Sequence, residues 1–361
     1  MSLSDPPATT PPGPRGLDLL VARCAWAIEA AASQLAAPKM APPPWLVEGR
    51  AYVTTGIGSS EAHARYLATL INRSDRATAE FRSLLELAQG SARLAGRHLV
   101  MFSQGLSPNA ALVLKRLYDA VGTTVFTAAT AENLRRDGKH ARAEALAGVL
   151  ERGATVESFP LKDEYTILLR VVGPLCGYVA LARCLDAAGW LDEDVPDETV
   201  FQAAAQQALD LAKSDSVWAK AWRAGVELTF ADATFQYAQN LAYKRVEGIF
   251  QPQPVIRDLL QYSHGPFQQA MTGQAPAQWL LAAAGTEPWT HLAAPLFARP
   301  PGGFRLLRSP LAEPFAIWFY EIFLNHLTVT VARRLDQTID QLNWPGKGKD
   351  GELYGLTVAP K

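Results

Sequence analysis

Val53-Thr54-Thr55-Gly56-Ile57-Gly58-Ser59-Ser60-Glu61-Ala62 decides how the chain folds. A β-branched stretch ends at two closely spaced glycines and a helical pattern starts at the serines, so the segment reads strand, turn, helix. The glycines let the backbone bend and approach a ligand, while the first-turn amides of the helix point at whatever sits there. Ser59 or Ser60 adds a hydroxyl, making a neutral anion cradle; the same serine also suits an ordinary helix N-cap. The third glycine of the dinucleotide fingerprint is missing.

Met101-Phe102-Ser103-Gln104-Gly105-Leu106-Ser107-Pro108-Asn109 repeats this grammar. A strand runs into Ser-Gln-Gly, and Ser-Pro then opens a helix with proline at its favoured first position. Two such turns on successive strands converge at the carboxyl edge of an open α/β sheet, where ligands bind.

Working outward, short apolar strands alternate with helices. Ala51–Thr55, His98–Phe102, Thr123–Thr127 and Thr155–Phe159 are predicted strands, and helices are expected over Leu17–Leu35, from Ser60 and from Pro108. A polar stretch, Asp192 to Glu198, is the candidate boundary, after which the alternation restarts. Val226–Phe230, Gln278–Ala284 and Phe304–Leu307 read as strands, Phe235–Val246 and Pro314 to about Leu342 as helices. The expectation is an α/β protein of two doubly wound parallel-sheet subdomains in tandem, over 16–190 and 200–361, behind a disordered Pro-rich tail at 1–15. No sequence repeat relates the halves.

Composition narrows the function. With 361 residues, 48% of them hydrophobic, the chain can bury one large core or two coupled ones. Lys+Arg (34) nearly balance Asp+Glu (35), so the basic excess of a nucleic-acid binder is missing. Cys24, Cys176 and Cys184 lie among apolar residues without C-x-x-C spacing and read as buried thiols of a reducing compartment. The apolar run between Arg170 and Arg183 is too short to span a membrane and reads as a buried helix, and residues 1–16 lack an export signal. The chain is therefore expected to be soluble and cytoplasmic. His63, His98, His140, His291 and His326 show no metal spacing, and neither metal nor organic cofactor is expected; His63, on the first turn of the helix after Ser60, can face the anion site but is placed at the surface. The tryptophans read as core and interface material.

Two further residues carry chemistry. Glu247 ends an amphipathic run, and His264 sits in Gln261-Tyr262-Ser263-His264-Gly265-Pro266. A carboxylate raised towards neutral pKa by burial suits proton transfer between carbons, and a histidine titrates where ring opening needs an acid–base group. Each has a plainer reading: Glu247 paired with Lys244 or Arg245 at a helix end, and His264 as a turn residue.

In this order the motifs resemble the tandem sugar isomerase (SIS) domain proteins, in particular the isomerase part of glucosamine-6-phosphate synthases. Gly56, Gly58 and Ser60 match the family's first Gly-x-Gly-x-Ser turn; Ser103, Gln104 and Ser107 match its second in part, with Gly105 where Ser is usual. Arg245-Val246-Glu247 and the His264-Gly265-Pro266 segment stand where the family has Lys-Glu and Glu-x-x-His-Gly-Pro, and Asn343-Trp344-Pro345 with Leu353 to Val358 are similar to its tail. The resemblance implies a flavodoxin-like SIS fold and a phosphosugar isomerase working through a cis-enediol. In it Gly58, Ser59, Ser60, Ser103, Gln104 and Ser107 hold the phosphate, Glu247 moves the proton and His264 opens the ring. It also implies a homodimer in which the His264 loop reaches the neighbouring site; the helix carrying Trp318, Phe319, Tyr320 and Phe323 suits such an interface or an intrachain core equally. The family's tail lysine is unmatched: Gly355 falls near its place, with Lys347, Lys349 and Lys361 nearby. Gln261 replaces a Glu, position 2 is Ser, and Glu164-Tyr165-Thr166 through Arg170 replace the Ser-Thr-Lys segment. Glutamine-dependent amide transfer is therefore not expected. Arg170 can read a substrate oxygen or pair with Asp163 or Glu164. The alternatives are a non-catalytic sugar-phosphate-binding regulator and a sugar-phosphate deaminase or deglycase.

Overall fold

Helix α1 (Gly16–Ala36) is followed by β1 (Ala51–Thr55), α2 (Ser59–Arg73), β2 (Thr78–Phe81) and α3 (Leu84–Ala88). Next come β3 (Arg97–Phe102), α4 (Pro108–Arg116), β4 (Gly122–Thr127), α5 (Ala131–Arg136), α6 (His140–Glu151) and β5 (Thr155–Ser158). Helices α7 (Val172–Ala187), α8 (Glu198–Ser214) and α9 (Ser216–Ala224) lead to β6 (Val226–Phe230), α10 (Gln239–Ile249) and β7 (Ile256–Asp258). The last elements are α11 (Leu259–Tyr262), α12 (Gly265–Met271), β8 (Ala277–Ala284), α13 (Glu287–Phe297), β9 (Phe304–Ala312) and α14 (Ala316–Leu335). The structure, a computed structural model, describes residues 15–90, 94–116, 120–158, 167–214, 216–335 and 340–348.

The strands form two sheets, ordered β2-β1-β3-β4-β5 and β7-β6-β8-β9. Every pairing between them is parallel. In each sheet the chain starts in the interior, steps to one side, then crosses back to build the other. That order places a switch point between β1 and β3 in the first sheet and between β6 and β8 in the second. Alternation along the strands sorts the first sheet's two faces. Tyr52, Val100 and Phe102 enter one core, whereas Val53, Leu99, Met101 and Val125 enter another beneath α4 and α6.

The larger core joins both sheets. It runs from Tyr52 and Phe102 through α1 and α7 to Val226, Leu228 and Trp279. Helix α14 lies at its centre, packed against α1, α7, α8, α9 and α10. Its Trp318, Phe319, Tyr320 and Phe323 are fully buried within the chain, which assigns this helix to intrachain core. Gly248 lets α10 come this close: a Cβ there would stand 2.3 Å from Cγ2 of Thr328. Helix α10 also packs on α2, so the two sheets meet along α2, α10 and α14.

Strands β1 and β6 fall where the sequence places them. The helix expected over Phe235–Val246 is shifted to Gln239–Ile249, because the chain first makes a 3₁₀ turn at Ala233–Gln236, and α14 is described over Ala316–Leu335. The three cysteines are free and buried, and burial pushes the Cys24 and Cys184 thiols up to about 12. Among the described residues, α1 is the one helix long and apolar enough to cross a membrane by composition. Leu20, Cys24, Ala27 and Ala31 bury one side of it in the larger core.

Candidate functional site

At the first switch point the turns after β1 and β3 face each other. Gly56 is required by space, since a Cβ would stand 2.3 Å from the carbonyl oxygen of Ser60. Gly58 precedes α2 with φ 61° and ψ −130°, a conformation that favours glycine. The amide of Ser60 donates to Ile57 and that of Glu61 to Gly58, which leaves the Ser59 amide without a partner among the described residues.

The second turn is held from within. Leu106, not Gly105, takes the left-handed conformation (φ 46°), which costs a non-glycine residue about 1–2 kcal/mol. Its side chain is fully buried in the core beneath the sheet, and that burial offsets the strain. Ser103 Oγ accepts from the Ser107 amide at 3.0 Å, and Ser107 Oγ accepts from the Ala110 amide at 3.2 Å. Both hydroxyls thus use a lone pair on the backbone and keep their protons to donate. The Gln104 carbonyl accepts from the Ala128 amide at 2.8 Å and the Thr127 hydroxyl at 3.0 Å, tying the turn to the end of β4.

Ser59, Ser60, Ser103 and Gln104 line one cleft with His63, Phe102, Gly173 and Pro174. Its enclosed part is about 10 Å³, the room of roughly one water. A phosphoryl group is larger, so it would sit at the mouth, against the donors, or displace a side chain. His63 corrects the expectation of a surface position: it is only 5% exposed. It lies between Phe102 and Tyr178, with Nε2 2.9 Å from the Pro174 carbonyl. Gly177 makes room for it, because a Cβ there would stand 2.4 Å from Nε2.

A buried polar chain leads from this cleft to the helix that carries Glu247. Ser59 Oγ lies 2.6 Å from Asn240 Oδ1, and Asn240 Nδ2 donates to Oε1 of Glu321. Lys244 Nζ stands 2.8 Å from the other Glu321 oxygen, without hydrogen-bond alignment, and donates to the Arg170 carbonyl at 2.8 Å. Both Lys244 and Glu321 are completely buried. A carboxylate only accepts, so Asn240 must offer Glu321 its NH2 and turn its carbonyl to Ser59. The Ser59 hydroxyl is thereby the donor, and its proton is committed to Asn240.

Glu247 lies near the end of α10 and is half-buried. Burial raises its carboxyl above the ordinary value, and the positive charges of Lys244 and Arg170 oppose the rise. Its own carbonyl accepts from Gln341 Nε2 at 2.9 Å, and Gln341 Oε1 accepts from the Leu169 amide, so Gln341 fastens this helix end to residues 168–169. Neither neighbouring cation forms an ion pair with Glu247: Lys244 pairs with Glu321, and Arg245 donates to the carbonyls of Trp222, Arg223 and Pro252. Arg170 donates to the Ile167 carbonyl. Asp163, Glu164, Tyr165, Thr166, Lys349, Gly355, Lys361 and 353–358 lie outside the described residues. Lys347 sits with its Nζ 5.0 Å from the Trp344 ring centre.

His264 stands apart. It is exposed, immediately before α12 on the second sheet's side, and its ring makes no hydrogen bond among the described residues. The structure brings the two serine turns together and packs the helix of Glu247 against α2, but it does not bring His264 into that cleft. At the second switch point the turn after β6 is acidic instead. Asp232 accepts from the amides of Thr234 and Ala283, and burial raises its carboxyl. The second switch point thus presents a carboxylate where the first presents serine hydroxyls.

The whole fold recurs in solved structures. The C-terminal domain of glucosamine-fructose-6-phosphate aminotransferase from Francisella tularensis is 13% identical with a TM-score of 0.65; the match covers 92% of this chain and all of that one. Glucosamine-6-phosphate deaminase from Thermotoga maritima is 14% identical, TM-score 0.61, over 90% of this chain and 97% of that one. Tagatose-6-phosphate ketose/aldose isomerase from Escherichia coli is 10% identical, TM-score 0.53, over 91% of both. No protein-family model matches the sequence, and neither does any curated protein. The architecture implied by the sequence motifs is thus the architecture found, and at these identities the likeness is one of fold.

Proposed function

We propose that this chain is a phosphosugar isomerase of the SIS type. The observation that carries the reading is the pair of Gly/Ser turns at the β1/β3 switch point, joined by a buried polar chain to the helix of Glu247. The sugar phosphate binds at the mouth of the cleft, where Ser60, Ser103 and Ser107 donate hydroxyl hydrogen bonds and the Ser59 amide adds a fourth. Gln104 borders the same anion. Glu247 takes the proton from C2 of the open-chain aldose and returns it to C1 through a cis-enediol, or the reverse from the ketose. Its raised pKa strengthens it as a base near neutrality. His264 opens the ring, supplied by the neighbouring subunit of a homodimer, which accounts for its exposure within one chain. The chain acts in the cytoplasm without glutamine as a nitrogen donor.

One comparison favours keeping an amino sugar among the substrates, since a glucosamine-6-phosphate deaminase shares the fold at a TM-score of 0.61. Calorimetric titration with glucose, glucosamine, fructose and ribose phosphates tests the binding half of the reading. Saturable binding to the wild type, weakened about tenfold or more in Ser103→Ala, is the expected result for a hydrogen bond to a charged group. Equal affinity in the two proteins would contradict it.

A further inference from the structure

Interconverting an aldose and a ketose through a cis-enediol moves two protons, one between the carbons C1 and C2 and one between their oxygens. Glu247 as the base accounts for the first, and His264 acts on the ring. The oxygen proton needs a carrier of its own beside Glu247, and that group must be protonated at neutral pH.

Tyr243 stands in that place. It lies one turn before Glu247 on α10, so the two side chains are neighbours on the helix, with Cβ atoms roughly 5–6 Å apart. The hydrogen bond between Ser59 and Asn240 pins this part of α10 to the start of α2, and the two helices pack together. Tyr243 and Glu247 follow Asn240 by three and seven residues, a spacing that returns to one side of a helix. The phenol is half-buried and lies within the field of two carboxylates, Glu247 and Glu61, the latter beside Ser60 on the first turn of α2. Burial foremost, and then Glu61 and Glu247, raise its pKa above the ordinary tyrosine value, while Arg65, which donates to Glu61 at 2.8 Å, opposes the rise. Tyr243 therefore keeps its proton at neutral pH. Its hydroxyl forms no hydrogen bond among the described residues. Lys244, next in sequence, is completely buried and engaged by Glu321 and the Arg170 carbonyl.

We infer that Tyr243 is a catalytic residue that carries the proton between O1 and O2 of the sugar, an assignment that rests on the reading of Glu247 as the base. From the aldose, the phenol gives its proton to the C1 carbonyl oxygen as Glu247 takes the proton from C2. The electron pair of the C2–H bond becomes the C1–C2 double bond of the enediol. The phenolate then takes the proton of the C2 hydroxyl, the C2 carbonyl forms, and C1 receives the proton held by Glu247. Both side chains end as they began.

Tyr243→Phe removes one hydroxyl and keeps the ring, and a melting curve that overlays the wild type shows that its packing is intact. Both proteins are assayed on glucose 6-phosphate, glucosamine 6-phosphate, fructose 6-phosphate and ribose 5-phosphate, by product formation and by proton exchange in D2O. On the sugar that the wild type converts, kcat is expected to fall about a hundredfold or more, with KM and the affinity for inorganic phosphate within about threefold. A loss carried by KM or by phosphate affinity, with kcat kept, makes Tyr243 a binding residue and overturns the assignment. Unchanged kcat and KM also overturn it and leave Glu247 as the base. No conversion and no exchange by the wild type overturns the reading of Glu247, and this inference with it.

Discussion

Asn240 on α10 accepts the hydroxyl proton of Ser59 at the start of α2, with 2.6 Å between Oδ1 and Oγ. Neither residue could make this choice alone. Glu321 behind Asn240 takes the amide NH2, and Lys244 stands against the same carboxylate, so the orientation is set three residues away from the cleft. That leaves the Ser59 backbone amide without a partner among the described residues, while its side chain latches α2 to α10.

This division is measurable. Ser59→Ala is expected to change the affinity for inorganic phosphate by less than about threefold, whereas Ser103→Ala lowers it about tenfold or more. Titration calorimetry at fixed ionic strength reads both. Equal losses in the two variants would mean that Ser59 donates to the anion after all.

The Lys244–Glu321 pair is completely buried, so removing one partner leaves the other charge unmatched. Glu321→Gln is expected to lower stability by about 3–5 kcal/mol, read by urea unfolding. The double variant Lys244→Met, Glu321→Gln removes both charges and should recover part of that loss. A single variant as stable as the wild type would show that the pair does not hold α10 to α14.

Gly177 and Gly56 are sites of close approach, and each has a different consequence. Gly177→Ala forces the buried His63 ring aside and should cost about 1–3 kcal/mol by overpacking. Gly56→Ala meets rigid backbone at Ser60, so the first turn cannot keep its shape and phosphate affinity is lost. Thermal melts and phosphate titration separate the two, since the first variant keeps its serines in place.

The pH dependence of stability has a traceable contribution. Burial, reinforced by Arg50, pushes His98 down to about 4. Arg50 Nη1 lies 3.4 Å from Nδ1, so protonation would set an N–H against the guanidinium. The folded state therefore binds fewer protons than the unfolded chain between the ordinary histidine value of about 6.5 and about 4. Stability from this residue is full above that window and falls as pH drops through it. His98→Gln removes the titration, so its melting temperature should fall less than that of the wild type between pH 7 and pH 5, roughly one histidine's share of the acid loss. Parallel curves would contradict the assignment. Glu247 works in the opposite sense. Its carboxyl is raised, so its contribution is lost as pH rises, and Glu247→Gln should melt at or slightly above the wild type at neutral pH.

Much of the first site was legible before the fold was known. The turns at Gly56–Ser60 and Ser103–Ser107 carry glycines and helix-capping serines at fixed spacing, and such turn chemistry is local. The strands were legible for the same reason, being short apolar runs between turn residues. Asn240, Glu321 and Gln341 were not, because their partners lie 81–181 positions away in sequence. A signal existed nonetheless: Glu321 interrupts the apolar run Ala316–Leu324, and a polar residue at a core position needs a buried partner. His63 was misplaced because helical periodicity does not reveal that Gly177 leaves a hole for it. The strands β2 and β7 escaped as well, being four and three residues long at sheet edges.

The most direct test of the account is proton exchange in D2O, followed by NMR over hexose, amino-hexose and pentose phosphates, with wild type and Glu247→Gln side by side. The account predicts solvent exchange at C1 or C2 of one sugar in the wild type, with an acidic limb above the ordinary carboxylate range, and none in the variant. Saturable binding without exchange in either protein would contradict it and leave a sugar-phosphate sensor.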